Sequence, residues 1–213
     1  FRDSQFAPNY TVFGTIDGGM SRLLDAAAAA CRAEMSLGSP VREIGATPHG
    51  WRLRYGPVPA TRTDDVDALI LAVPAKAAAR LLGGIDADVA ATVGVLDYAS
   101  VVLAAFALPT GTDLPDISGF LVPPRRGTLV KAATFFTRKW PHLPQDDPVI
   151  VRASLGRAGE EAKLQLDDHA LLELAHGELS ALIGTPLPEP IAAWVQRWGG
   201  GLPQYAPGHL DRV

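Results

Sequence analysis

The segment around Trp198 carries the residues best suited to binding a flat ligand. Trp198 ends an apolar, strand-like run over residues 191–198, and glycines follow it at positions 199–201. A large flat ring at the end of a strand suits packing against another flat ring system. A glycine-rich turn lets the backbone come close to a ligand. The segment therefore predicts a binding site for a planar molecule.

The other residues capable of chemistry do not form a catalytic constellation. The chain has no Gly-x-Ser-x-Gly elbow and no His-Glu-x-x-His motif, which would mark a serine nucleophile or a zinc centre. His169 and His176 lie seven residues apart on one predicted helix, too far to share a metal without a third group. We therefore predict no catalytic side chain and no metal site. Cys31 is expected to be a packed core thiol.

Charged residues cluster in two places. Asp64, Asp65 and Asp67 precede an apolar run and are expected in a solvated turn. The second group, the basic cluster, consists of Arg125, Arg126, Lys131, Arg138 and Lys139. Arginine can bind carboxylates bidentately, but a solvated hairpin surface is the simpler interpretation of this cluster.

Composition excludes several classes of protein. The 213 residues are 47% hydrophobic and 20% charged, which are globular values. A net charge of −4 argues against a nucleic-acid partner. The longest apolar runs, over residues 26–31 and 100–109, are too short to span a bilayer. A single cysteine and no visible signal peptide fit a cytoplasmic protein.

Apolar periodicity predicts helices and strands in alternation, with a change of texture near Gly84. Helices are predicted from Met20 to near Gly38, over residues 75–82 and, with Asp168 as the N-cap and Gly184 as the closing residue, over residues 168–183. Residues 67–74 form a near-continuous apolar run, which is typical of a strand covered on both faces. The remaining predicted strands are residues 41–44, 50–55, 58–63, 99–108, 119–122, 128–136, 149–156 and 191–198.

Five segments resemble, in order, the porphyrinogen oxidases, a branch of the flavin amine oxidase superfamily. Their order and spacing carry the resemblance, because each one alone could occur by chance. The segments are Gly18-Gly19-Met20 with Leu23-Leu24; Val41-x-x-Ile44; residues 67–75; Lys131-Ala132-Ala133-Thr134-Phe135 through Lys139-Trp140-Pro141; and Ser154-Leu155-Gly156-Arg157 leading to the segment 198–209.

The resemblance assigns roles to seven residues. Val41 matches the strand residue whose backbone meets the adenine end of FAD, and Trp198 matches the aromatic residue that lies against the flavin. The substrate-side residues implied are Gly119, Phe120, Leu121, Ser154 and Arg157.

The resemblance also implies the fold, which is α+β with mixed α/β character. Residues 1–83 would be part of an incomplete Rossmann-like FAD-binding domain. Residues 84–195 would be a substrate-binding domain with a mixed β-sheet and flanking helices. Residues 196–213 would return to the FAD-binding domain.

Departures from the family pattern are equally informative. The G-x-G-x-x-G turn that cradles the FAD pyrophosphate is absent, so this chain is expected to retain FAD poorly by itself. The sequence starts with Phe1 rather than Met, and its last residues, 208–213, resemble the beginning of a helix. We therefore expect a central fragment of a longer protein. The family's membrane-associating region would lie upstream, giving peripheral membrane contact, and an exposed sheet edge would favour a homo-oligomer.

The implied activity is the oxygen-dependent oxidation of a porphyrinogen in haem biosynthesis, with FAD as cofactor, molecular oxygen as acceptor and hydrogen peroxide as product. Resemblance to the Gram-positive type favours coproporphyrinogen III, and protoporphyrinogen IX stays open. Two alternatives also remain. One is another flavin amine oxidase, acting on an amine or a polyene, and the other is a non-catalytic binding or scaffold domain.

Overall fold

The computed structural model describes residues 14–140, 142–143 and 148–212, which divide into two compact units, Phe1–Ser39 and Pro40–Val213. The first unit contains helix α1, Ser21–Ala30. The predicted helix is confirmed, but it ends at Ala30 rather than near Gly38, and every one of its residues is exposed. Cys31 is likewise exposed rather than a packed core thiol.

The second unit contains two antiparallel sheets and several helices. The helices are α2 (Ala75–Leu82), α3 (Ala87–Gly94), α4 (Phe136–Lys139), α5 (Asp168–Ile183) and α6 (His209–Arg212). The strands are β1 (Val41–Thr47), β2 (Gly50–Tyr55), β3 (Arg62–Val66), β4 (Asp97–Leu108), β5 (Gly119–Leu121), β6 (Val130–Phe135), β7 (Val149–Leu155) and β8 (Ala192–Gln204). The α+β fold class is confirmed. The predicted domain limits near residues 83 and 195 stay a prediction.

The smaller sheet has the order β1-β2-β3. Its third strand was expected over residues 58–63 but begins at Arg62, because Pro57 and Pro59 cannot donate to a strand ladder. Asp65 therefore lies in β3 rather than in a solvated turn. The Arg52 guanidinium, on the facing residue of β2, donates to the Asp65 carboxylate at 2.7 Å. An opposite-charge pair directly across two strands offsets the poor strand propensity of aspartate.

The apolar run over residues 67–74 is not a strand, which contradicts the sequence-based expectation. The side chain of Ile70 is 91% exposed, and helix α2 begins directly after Pro74. A doubly buried strand needs neighbouring strands on both sides and packing on both faces. No described strand pairs with this run, so Ile70 and Val73 remain exposed and only Leu69 and Leu71 are half-buried.

The larger sheet has the order β5-β6-β7-β4-β8, and all its described pairs are antiparallel. Helix α5 covers one face. Its residues Leu171, Ala175 and Leu179 are fully buried against β4 and β7. The Glu178 carboxylate accepts hydrogen bonds from the backbone N–H groups of Leu129 and Val130, at 3.0 and 2.7 Å. These bonds anchor the entry of β6 to the helix.

Three features of this part of the fold differ from expectation: the N-cap of α5, the presence of α3 and the end of β8. The N-cap of α5 is Asp167, whose carboxylate accepts from the Ala170 N–H at 2.9 Å, rather than Asp168. Gly184 closes the helix as predicted. Helix α3 was not predicted. Strand β8 continues to Gln204, because the glycines 199–201 form a bulge opposite Ser100 rather than a turn. The Gly200 N–H donates to the Ser100 hydroxyl at 3.1 Å.

Two glycines provide a matched test of the packing between β7 and the following loop. Gly156 has a φ of +87°, and a Cβ there would lie 2.6 Å from Leu164 Cδ1. Gly177 lies inside α5 with no heavy atom within 4 Å of such a Cβ. We expect Gly156→Ala to destabilise the fold by about 1–3 kcal/mol through strain and overpacking. We expect Gly177→Ala to stabilise it by roughly 0.5–1 kcal/mol through helix propensity.

Urea unfolding followed by circular dichroism measures both changes. Equal free energies of unfolding for the two variants would contradict this account of Gly156.

Candidate functional site

The two faces of the larger sheet differ sharply in what covers them. Phe106 on β4 packs edge-on against His176 of α5, with ring centroids 5.7 Å apart. Because side chains alternate along a strand, Val101, Leu103 and Ala105 point to the opposite side. We call that side, turned away from α5, the open face.

Strand register brings most of the predicted site residues to the open face. Leu121, Ala132, Ser154, Leu103 and Gln196 form one row of direct partners across the sheet. Gly119, Thr134, Arg152, Ala105 and Trp194 form the next row. Trp198 faces Val101 and lies on the same side. Four predicted site residues from three segments, Gly119, Leu121, Ser154 and Trp198, therefore share one surface.

Two tryptophans dominate the edge of this surface. The side chains of Trp194 and Trp198 are 50% and 52% exposed, and four residues of strand separate them, about 13 Å. Beside them the floor of β4 consists of smaller side chains, including Ala105. Large exposed rings next to small residues leave room for a flat, apolar molecule to lie along the sheet.

Val41 lies on the other sheet. It is the first residue of β1, which forms an edge of its sheet, and a bulge separates its pairing with Tyr55 from that of Glu43. The next backbone carbonyl, that of Arg42, accepts from the Arg80 guanidinium at 3.0 Å. An edge strand leaves backbone groups on one side without a strand partner. That geometry suits a backbone contact with a ligand.

Phe120 and Arg157 occupy different surroundings from the open-face residues. Phe120 pairs with Ala133 on the α5 side and packs edge-on against Phe135, with centroids 5.9 Å apart. The Arg157 guanidinium donates to the backbone carbonyls of Thr128 and Val122 at 2.7 and 3.0 Å. These contacts are those of packing and loop-fixing residues.

Arg157 also shapes the electrostatics around it. Its guanidinium lies 3.6 Å from the Glu160 carboxylate. A hydrogen bond from Lys163 is the main reason that the pKa of Glu160 lies below its usual value. Burial, and then the positive charge of Arg157, lower the pKa of Lys131. The cluster is a local charge network at the exit of β7.

The basic cluster lies mostly on the surface. Arg125 and Arg126 are exposed on a short 3₁₀ turn, and the Arg138 guanidinium donates to the Leu114 carbonyl at 3.3 Å.

The two histidines of α5 each have a different neighbour. His169 lies 3.5 Å from the Glu173 carboxylate, and His176 lies 3.0 Å from the Pro188 carbonyl oxygen. Within residues 14–140, 142–143 and 148–212, no group of three acidic, histidine or cysteine side chains could hold a metal.

Comparison with known proteins identifies the family. The family model for flavin-containing amine oxidoreductases matches residues 1–212. The chain belongs to this family. Among the described helices, none has the length and hydropathy needed to cross a bilayer.

Curated relatives that this chain matches are coproporphyrinogen III oxidases. That of Mycobacterium tuberculosis is 36% identical over 202 residues, covering 95% of this chain and 42% of the relative. That of Bacillus subtilis is 29% identical over 153 residues, covering 71% of this chain and 32% of the relative. The chain thus spans about two fifths of the length of the mycobacterial relatives that it matches.

Solved structures support the fold. A protein assigned as a protoporphyrinogen oxidase from Exiguobacterium superposes with a TM-score of 0.79 at 24% identity, covering 93% of this chain and 42% of that one. A putrescine oxidase variant superposes with a TM-score of 0.66 at 17% identity, covering 92% of this chain and 43% of that one. At these identities the likeness concerns the fold alone.

Sequence reasoning missed two open-face residues, Arg152 and Trp194. Arg152 lies two residues before Ser154 and Trp194 lies four residues before Trp198. Strand alternation alone would therefore have placed each of them on the same side as its predicted neighbour. Sequence reasoning also missed the stacking of Tyr205 on His209, with centroids 4.3 Å apart. That pair lines a cleft of about 270 Å³, which none of the seven predicted site residues lines.

The Arg157 contacts predict a stability effect. Arg157→Lys keeps the charge but cannot reproduce a fork that spans two carbonyls. We expect it to lower the free energy of unfolding by about 1–3 kcal/mol, because buried carbonyls lose charged donors. Arg126→Lys, on the neighbouring exposed turn, should change it by less than about 0.5 kcal/mol. Chemical denaturation measures both values. A stability loss no greater than that of Arg126→Lys would refute the loop-fixing role.

Proposed function

We propose that the polypeptide carrying these residues is a flavin-dependent oxidase that converts coproporphyrinogen III to coproporphyrin III. The observation that carries the proposal is the 36% identity to coproporphyrinogen III oxidases over 95% of this chain. The open face supports it independently, because two exposed tryptophans beside small side chains suit a broad, flat, apolar ring system.

The open-face residues would make different contacts with the substrate. Gly119, Leu121 and Ser154 would contact the substrate, since they lie in neighbouring rows of one surface. The small Gly119 and Ser154 let a ring approach the backbone, and Leu121, 84% exposed, offers apolar area to cover. A substrate role for Phe120 and Arg157 stays a prediction, and their contacts favour packing and loop fixing.

FAD is the cofactor that family membership implies, and part of the chain suits it. Trp198 would present its indole to the flavin, and the edge of β1 at Val41 would offer backbone groups to the adenine end. When bound, FAD supplies the acceptor for hydride equivalents removed from the substrate. The protein residues described above would bind and orient the ring.

The overall reaction balances as three two-electron oxidations of the macrocycle. Each round consumes one molecule of oxygen and releases one of hydrogen peroxide. The pattern of residues fits this chemistry, because electron transfer at a flavin needs no nucleophile or general-base triad in the protein. Peripheral membrane contact and self-association stay predictions.

Substrate turnover tests the proposed function. The natural polypeptide that contains residues 1–213, loaded with FAD, is expected to oxidise coproporphyrinogen III in air. The readouts are the increase of porphyrin fluorescence and the formation of hydrogen peroxide. Protoporphyrinogen IX serves as the comparison substrate. Putrescine and other amines serve as the control class, and turnover of amines without turnover of either porphyrinogen would overturn the proposal.

Flavin retention tests the expectation about the cofactor separately. The 213-residue chain is expected to bind FAD weakly, because it lacks the glycine-rich turn whose N–H groups cradle a pyrophosphate. Titration of FAD with the purified chain, followed by flavin fluorescence, measures the affinity. Stoichiometric binding at micromolar concentrations would show the expectation to be wrong.

A further inference from the structure

Arg152 occupies the middle of the open face. It lies on β7, directly opposite Ala105 of β4 and Thr134 of β6, and its row continues across Ala105 to Trp194. The two strand spacings between β7 and β8 amount to about 10 Å. Between the guanidinium and the indole the row contributes only the methyl group of Ala105. The arrangement is a shallow trough with a cation on one side and an aromatic ring on the other.

An aromatic ring supports the Arg152 guanidinium. Its central carbon lies 5.2 Å from the centroid of Phe136, the first residue of α4. A cation over a ring face is held by the ring quadrupole. Because no side-chain hydrogen bond of Arg152 occurs among the described residues, its N–H groups can still donate to a planar acceptor. Phe136 thus restrains the cation without occupying its hydrogen-bonding groups.

Among the arginines of the larger sheet region, Arg152 has no acidic partner within the described residues, and neither do the exposed Arg125 and Arg126 of the 3₁₀ turn. Arg138, Arg157 and Arg197 lie within 4 Å of Asp116, Glu160 and Asp168 respectively. No ion pair and no side-chain hydrogen bond of Arg152 occurs within residues 14–140, 142–143 and 148–212. A half-buried cation that a ring restrains, and that no described side chain pairs with, suits a ligand that carries the anion.

We propose that Arg152 binds a propionate carboxylate of the porphyrinogen and so fixes the orientation of the ring on the open face. This inference rests on the proposed function, which supplies a flat ligand with carboxylates at its rim. The carboxylate would accept two N–H bonds from the guanidinium edge, while the ring extends over Ala105 toward Trp194. Arg152 is a specificity-determining residue and takes no part in hydride removal.

Substitution of Arg152 combined with removal of the ligand's charge tests the proposal. The variants are Arg152→Gln and Arg152→Lys, in the FAD-loaded polypeptide, with Arg62→Gln on the exposed strand β3 as the control. The binding probes are coproporphyrin III and the same porphyrin with its four carboxyl groups converted to primary amides. Quenching of tryptophan emission gives the dissociation constants, and steady-state kinetics with coproporphyrinogen III gives kcat and KM.

Arg152→Gln is expected to weaken coproporphyrin III binding and to raise the KM by roughly 10- to 100-fold, as for the loss of a charged bidentate pair. The kcat should change by less than about threefold. Arg152→Lys should fall between Arg152→Gln and the parent, because a point charge replaces the fork. The tetra-amide should bind the parent and Arg152→Gln equally. Arg62→Gln should resemble the parent throughout.

Equal weakening of the acid and the amide by Arg152→Gln would overturn the proposal, because it would reveal a packing effect rather than a carboxylate contact. Unchanged binding of coproporphyrin III by both variants would overturn it as well. The proposed function fails in a different way, through a parent polypeptide that oxidises no porphyrinogen. Thermal unfolding of each variant checks that the fold is intact, and Arg152→Lys keeps the test decisive if Arg152→Gln is unstable.

Discussion

The packing of α5 against one face of the five-stranded sheet is the constraint on which the site depends. Leu171, Ala175 and Leu179 are fully buried there, and Glu178 anchors the entry of β6. Because strand side chains alternate, sealing one face assigns every second residue to the other. The open face is therefore a consequence of helix packing. Its residues come from five strands, spread over residues 97–204, and strand register brings them together.

Much of the larger sheet could be predicted from the sequence, because its strands are short apolar runs bounded by turn residues. The prediction failed where an element depends on partners. Residues 67–74 have the composition of a doubly covered strand, but Ile70 remains exposed because no described strand flanks it. β8 was expected to stop at its glycines, yet cross-strand pairing with β4 carries it through them to Gln204. Local composition cannot reveal such non-local pairing.

Arg152 and Arg157 illustrate what sequence can say about a site. The family resemblance drew attention to Arg157, which follows a recognisable Ser-Leu-Gly. In the fold this residue donates to backbone carbonyls and stabilises a loop. Arg152 lies five residues earlier with no motif around it, and register alone brings it into the row of Trp194. The sequence motif next to a residue and the sheet face on which the residue lies are separate sources of information. Here the motif indicates Arg157 and the sheet face indicates Arg152.

The three-glycine bulge of β8 has a consequence for how this strand can vary. On one side of it, Trp194 and Trp198 keep a fixed register with β4, and on the other side Leu202 and Gln204 pair with Ala99 and Asp97. A slip of one residue in an uninterrupted strand would turn every later side chain over. The bulge separates the two halves, so insertions or deletions among residues 199–201 can be absorbed locally. The indoles then keep their side of the sheet while the terminal segment is free to diverge.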